Sequence, residues 1–234
     1  MKIYHTLRSD FTSILREPVV GLMALAPLFM VLAFKALTVF LLPYLWDYIP
    51  AHIDILSYIL VTLMLATPIM MGVVMGFLML DDRDGRMIEL YYVTPLGASG
   101  YLTNRILFSF ITTFFYTGFN YLILGVYTLT LWKLFFVAVL SALFAASTGL
   151  LFFALASDKI KGLTYAKGMN MLIIFAYSEL LGIDWFHKMS AIFPTYWLSD
   201  IIRGSSNYIQ GFMVTVSWFS IMIYFSLYRY KKNA

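Results

Sequence analysis

Residues able to do chemistry are few in this chain, and most gather in one place. The sequence carries 16 Lys and Arg against 12 Asp and Glu, and six of these fall in the window Asp81-Asp82-Arg83-Asp84-Gly85-Arg86-Met87-Ile88-Glu89. Charges this dense cannot lie in hydrocarbon, so the window leaves the membrane and presents mixed acidic and basic groups to a soluble partner. Catalytic chemistry finds no support. His5, His52 and His187 lie on separate segments, and neither H-E-x-x-H nor G-x-S-x-G occurs. No two glycines stand five positions apart, so a G-x-x-x-x-G-K-[ST] phosphate loop is impossible and the chain has no ATP site of that type. With no cysteine, a disulfide framework and a cysteine-ligated metal or cluster are excluded. The expectation is a protein that is not an enzyme, holds no metal or cofactor, and does not bind nucleic acid.

Two ionisable residues sit well inside apolar runs. Glu179 either meets a cationic substrate group or faces a polar crevice, because an ionised carboxylate in a span costs on the order of 3 kcal/mol at the centre. Lys35 has a stem long enough to carry its ammonium outward. Met64, Met71, Met75 and Met79 recur on one face of a single run, with Gly72-x-x-x-Gly76 on the neighbouring face. Thioethers suit a wall that accommodates irregular apolar substrates, and they equally suit ordinary helix packing. The glycine pair serves close approach within one chain or between two.

These residues must be positioned by membrane-spanning helices. Composition alone requires it: 62% of residues are hydrophobic and 12% charged, with mean hydropathy +0.83, far from a soluble domain. A bilayer core of roughly 30 Å needs about 20 helical residues. Five runs reach that length, 19–45, 55–80, 106–132, 134–157 and 208–228; a sixth, 168–183, is short and contains Glu179. Six spans place Lys2, Arg8, Arg16, then Arg83, Arg86, Arg105, then Lys159, Lys161, Lys167, and finally Arg229, Lys231, Lys232 on one side. The positive-inside rule makes that side, and both termini, cytoplasmic. Trp46, Tyr48, Trp132, Trp185 and Trp197 then mark the outer interface.

Two segments neither span nor read as ordinary loops. Residues 1–18 set Ile3, Tyr4, Leu7, Phe11, Ile14 and Leu15 opposite Lys2, Arg8, Thr12 and Arg16, which predicts an amphipathic helix lying on the cytoplasmic leaflet. The absence of an apolar h-region there argues against a removable signal peptide. Outside, residues 184–203 hold an uncharged stretch, 189–199, broken by Pro194, which predicts a re-entrant or interfacial hairpin between spans five and six. The fold class is thus all-α and integral to the membrane, with residues 19–234 as a single six-span domain.

The charged window also carries a resemblance. Gly76-Phe77-Leu78-Met79-Leu80-Asp81-Asp82-Arg83-Asp84-Gly85, then Glu89-Leu90 and Val93-Thr94-Pro95-Leu96, resembles the type 2 ABC transporter permease family. Ser157-Asp158-Lys159-Ile160-Lys161-Gly162 with Lys167, and Phe193-Pro194-Thr195-Tyr196-Trp197, continue the match in order. Arg16-Glu17-Pro18 and Ala26-Pro27 bring the chain nearest to the small permeases named as fluoroquinolone exporters. The resemblance implies a permease in a bacterial or archaeal plasma membrane. It also implies pairing with a second permease copy or a homologous chain, and with a separate ABC ATP-binding subunit that holds ATP and magnesium. It implies a short coupling helix between spans two and three, for which Asp82, Asp84, Arg86, Glu89, Tyr91, Thr94 and Pro95 are the candidate residues. Asp84 is suited to cap that helix. Glu179, Met71, Met75 and Lys35 are the candidates along a substrate path for an amphipathic compound moved out of the cell. The alternative class is a membrane immunity or scaffold protein that binds a toxin or a membrane partner and needs no ATPase.

Overall fold

The computed structural model describes residues 18–48, 54–87 and 97–233. The amphipathic segment expected at 1–17 lies outside the described residues. Every regular element among those described is helical. Helix α1 (Pro18–Ala36) continues through a π turn (Leu37–Leu41) and two short turns to Tyr48. It is followed by α2 (Ile55–Asp84), α3 (Gly97–Leu124), α4 (Leu131–Leu155) and α5 (Lys159–Asn170). A 3₁₀ stretch (Met171–Tyr177) and a last turn (Ser178–Leu181) extend α5. Two short helices, α6 (Asp184–Ser190) and α7 (Pro194–Ile202), precede α8 (Tyr208–Asn233).

Five of these helices are long and apolar enough to cross a bilayer: Pro18–Tyr48, Ile55–Asp84, Gly100–Leu124, Leu131–Leu155 and Tyr208–Tyr228. The chain is therefore a multi-pass membrane protein. α2 is the axis of the bundle, with 94% of its most apolar window buried, whereas α8 buries 17% and α1 22%. The apolar faces those two leave open can be covered only by lipid or by another apolar protein face.

α2 occupies the axis because its glycines let α4 come against it. A Cβ on Gly72 would stand 2.7 Å from the Ala145 carbonyl oxygen, and one on Gly149 would stand 2.9 Å from the Gly72 carbonyl oxygen and 2.7 Å from the Met75 sulfur. Small residues on both partners bring the two backbones together, which is how helices gain van der Waals contact in lipid, where no hydrophobic drive separates protein from solvent. The Gly72-x-x-x-Gly76 pair thus packs within the chain.

Helix ends differ from the apolar runs where local chemistry overrides hydropathy. The run 106–132 predicts a third span, but α3 begins nine residues earlier and stops at Leu124. Gly125 adopts φ +60° there and its N–H bonds the Tyr121 carbonyl at 3.1 Å, a left-handed helix stop. Thr130 then caps α4 through the Lys133 N–H at 3.4 Å, so Trp132 belongs to the fourth helix. The run 168–183 is not a single apolar α-helix. Its backbone tightens to 3₁₀ at Met171–Tyr177. Two α7 hydroxyls, four residues apart, donate to carbonyls of that stretch: Thr195 to Leu172 at 2.8 Å and Ser199 to Ala176 at 2.9 Å. Where a hairpin is expected at 184–203 stand two short helices, α6 and α7, with Pro194 in the first turn of α7 and Pro194, Thr195, Leu198, Ser199, Ile201 and Ile202 buried.

Candidate functional site

The charged window begins as the last turn of α2. Asp84 is the final residue of that helix; the rest of the helix it is expected to cap, from residue 88 on, lies outside the described residues. Three successive side chains there reach three different parts of the bundle. Asp81 pairs with Lys159 at the start of α5. Asp82 accepts from the Tyr101 hydroxyl at 2.8 Å and from Nε of Arg105 at 3.1 Å, both on α3, and Nη2 of Arg105 joins the same oxygen. Arg83 donates to the carbonyls of Ala156 at 3.0 Å and Ser157 at 2.7 Å. Ala156 takes an extended conformation that ends α4, so the Arg83 fork satisfies carbonyls that the helix can no longer pair.

Burial separates these charges into two groups. The Arg105 side chain is 7% exposed and that of Asp82 18%, so this pair is held by charge-assisted bonds in low dielectric. Asp84, 51% exposed, lies 3.8 Å from Arg83 and has little coupling to it. Arg86 is exposed and adopts φ +53°, the left-handed region usually occupied by glycine. Of the expected coupling residues, Asp82 therefore faces inward as a brace, and Asp84 and Arg86 face outward. Glu89, Tyr91, Thr94 and Pro95 lie outside the described residues.

Sequence reading counts Arg105 only as a loop charge and passes over Tyr101. A signal was present: Tyr101, Arg105, Ser109, Thr113 and Thr117 recur every four residues, and all five are buried. Polar residues at helical spacing within an apolar run mark a face that meets protein, since lipid would not tolerate it. At its far end the same face turns Asn120 to the hydroxyl of Thr67 on α2, at 3.0 Å.

The residues assigned to a substrate path are dispersed. Met71 and Met75 are buried, as are Met64 and Met79, and Met75 packs against Gly149. Lys35 donates to the Ile123 carbonyl at 2.6 Å, so its ammonium terminates α3 where the helix dipole is negative. A pocket of about 360 Å³ lies beside the π turn, lined by Thr38, Leu42, Trp46, Leu56 and Val126 among others. Glu179 is not alone. It pairs with Arg203, the residue that ends α7, and Arg203 also bonds the Tyr58 hydroxyl in the first turn of α2. The Arg203 guanidinium lies 4.8 Å from the centre of the Tyr58 ring.

Apolar crossing helices tied together at one end by a charged brace define the class as a multi-pass helical membrane protein. The family model described as "Fluoroquinolones export permease protein Rv2686c-like" matches residues 10–229, and the chain belongs to that family. It is similar to the fluoroquinolones export permease protein Rv2686c of Mycobacterium tuberculosis strain H37Rv, at 25% identity over 213 residues covering 86% of this chain and 81% of the relative. The protein MT2760 of strain CDC 1551, with the same description, matches to the same extent.

Proposed function

We propose that this chain is the membrane subunit of an ATP-driven exporter, with six spans, both termini in the cytoplasm, and a second permease chain beside it. The sixth crossing is the run 168–183, which the positive-inside count requires and whose 3₁₀ stretch, Met171–Tyr177, lengthens it per residue. A separate ATP-binding subunit docks on the element from Asp81 to Pro95, and its closure pushes that element to alternate access for an amphipathic substrate. Membership in a family of export permeases supports this reading, because the chain itself has no phosphate loop. The single observation that carries the docking surface is the split in the charged window: Asp81, Asp82 and Arg83 are spent on the bundle, while Asp84 and Arg86 remain exposed. By the names of its relatives, the substrate class is a fluoroquinolone-like drug.

The test is charge reversal on the exposed side, Arg86→Glu with Glu89→Arg, in cells that also express the ATP-binding subunit. Membrane insertion should be unchanged, while ATP hydrolysis loses its dependence on substrate and efflux falls. Unimpaired efflux would remove the docking assignment. Failure of the permease to co-purify with any phosphate-loop ATPase would remove the ATP-driven reading altogether.

A further inference from the structure

At the end of α2 opposite the charged brace, side chains from three elements converge. Arg203 (end of α7) meets Glu179 (the turn after the 3₁₀ stretch) and Tyr58 (first turn of α2). Beside them Tyr58 and Tyr177 stack with ring centres 5.7 Å apart and planes inclined by 27°. The Tyr177 hydroxyl bonds that of Thr62, which itself donates to the Tyr58 carbonyl at 2.7 Å. The Arg203 side chain is only 17% exposed, and its Nε is buried without a partner among the described residues, while Glu179 is 42% exposed.

An arginine that needs only a surface ion pair would not be taken into the protein with one N–H left over, because an unmade hydrogen bond of a buried charged group is costly. Free donor capacity on a largely buried guanidinium suits a planar carboxylate, which accepts two parallel N–H bonds. Glu179, the more accessible partner, suits an ammonium. In the tyrosine stack Tyr58 is buried and Tyr177 half-buried, so Tyr177 is the ring through which an aromatic ligand would reach this pair.

We infer that Arg203, Glu179, Tyr58 and Tyr177 form a recognition site for a planar aromatic zwitterion, whose carboxylate takes Arg203 and whose amine takes Glu179 as the internal ion pair opens. The inference rests on the export reading above and deepens it by naming the substrate's charge pattern. The resting pair is itself the source of selectivity. A zwitterion replaces both halves of the pair and leaves no charge alone. A monocation would satisfy Glu179 but strand a mostly buried guanidinium, and a monoanion would strand the carboxylate. In the orientation proposed here the site lies at the outer end of the bundle, where an exported molecule departs, so re-formation of the Arg203–Glu179 pair expels the ligand and closes the exit.

The test is binding to the full-length permease in lipid nanodiscs, read by the intrinsic fluorescence of three probes. These are a zwitterionic fluoroquinolone, its ethyl ester (cation only) and its N-acetyl derivative (anion only). The wild type should prefer the zwitterion to either by at least about tenfold. Arg203→Gln should invert the preference toward the ester, and Glu179→Gln should invert it toward the N-acetyl compound. A merely structural pair would lower all three affinities together in both variants, and that result overturns the proposal, as does an unchanged preference or a wild type that binds none of them. Arg203→Lys keeps the charge and serves as the folded reference, with a weakened but uninverted preference expected. Binding needs no ATPase, so loss of efflux with the binding pattern intact would strike the ATP-driven reading and leave the recognition site standing.

Discussion

Asp82→Asn tests whether the charged window is a brace or only a solvated turn. The substitution keeps the shape of the side chain and removes its charge, leaving Arg105, with a side chain 7% exposed, facing a neutral amide. Breaking one half of a buried pair costs about 3–5 kcal/mol. Because Asp82 retains 18% exposure and water reaches part of it, the lower end applies, about 3 kcal/mol. For a chain of this length each kcal/mol moves the midpoint of thermal unfolding by about 2–4 °C, so the expected fall is roughly 6–12 °C. Asp84→Asn supplies the contrast. Its nearest cation, Arg83, is 3.8 Å away and both side chains are at least a third exposed, so its removal should cost no more than about 0.5 kcal/mol.

Thermal unfolding of the detergent-purified chain, followed by size-exclusion fluorescence, measures both. The double variant Asp82→Asn with Arg105→Gln then closes a cycle. Since both single variants remove the same Asp82–Arg105 bonds, the double should be more stable than the sum of the two losses predicts, by about 1.5–3 kcal/mol. If Asp82→Asn and Asp84→Asn shift the midpoint equally, or if the double variant is additive, the brace does not exist as described and α2 is not tied to α3 by charge.

Lys35→Met removes the donor to the Ile123 carbonyl at the end of α3 and should cost about 0.5–1 kcal/mol, with efflux unaffected; a selective loss of efflux would return Lys35 to the substrate path. Gly72→Ala should lower the unfolding midpoint by the equivalent of about 1–3 kcal/mol, because its Cβ would press on the Ala145 carbonyl and α4 must move aside. Gly168→Ala on α5, where an added Cβ meets nothing within 4 Å, should leave the midpoint unchanged or raise it slightly.

Hydropathy finds the cores of α1, α2, α4 and α8 because a lipid-facing or deeply buried helix needs an unbroken apolar run. It misplaces α3 for a physical reason. Arg105 reads as a loop charge, yet Asp82 on another helix neutralises it and lets the helix carry it inside. The window shows in the sequence where α2 ends, but not how its charges divide, because that depends on partners 19 to 78 residues away in sequence. Glu179 and Arg203 are visible singly, one as a charge in a short span and one as an outer loop residue. Their pairing depends on α7 folding back along the 3₁₀ stretch through Thr195 and Ser199, and no local pattern specifies it.

α2 carries both ends of this system. Tyr58 stands in its first turn and Asp81 to Arg83 in its last, about 36 Å apart at the helical rise. Between them α2 is locked to α4 wherever Gly72, Gly76 and Gly149 bring the backbones together, and interfaces of this kind shift as units rather than deform. On the proposed coupling, a push on the residues after Asp84 would move α2 and α4 as one body and displace Tyr58 against Arg203 at the other end. The chain contains no cysteine, so engineered pairs report this cleanly. Gly76→Cys with Phe152→Cys, whose Cβ atoms would stand 3.0 Å apart across the α2–α4 contact once the Phe152 ring is gone, should form a disulfide that leaves efflux intact, since it ties two helices that already travel together. If oxidation stops efflux and a reductant restores it, α2 and α4 slide past one another in the cycle, and the two ends of α2 communicate by some other route.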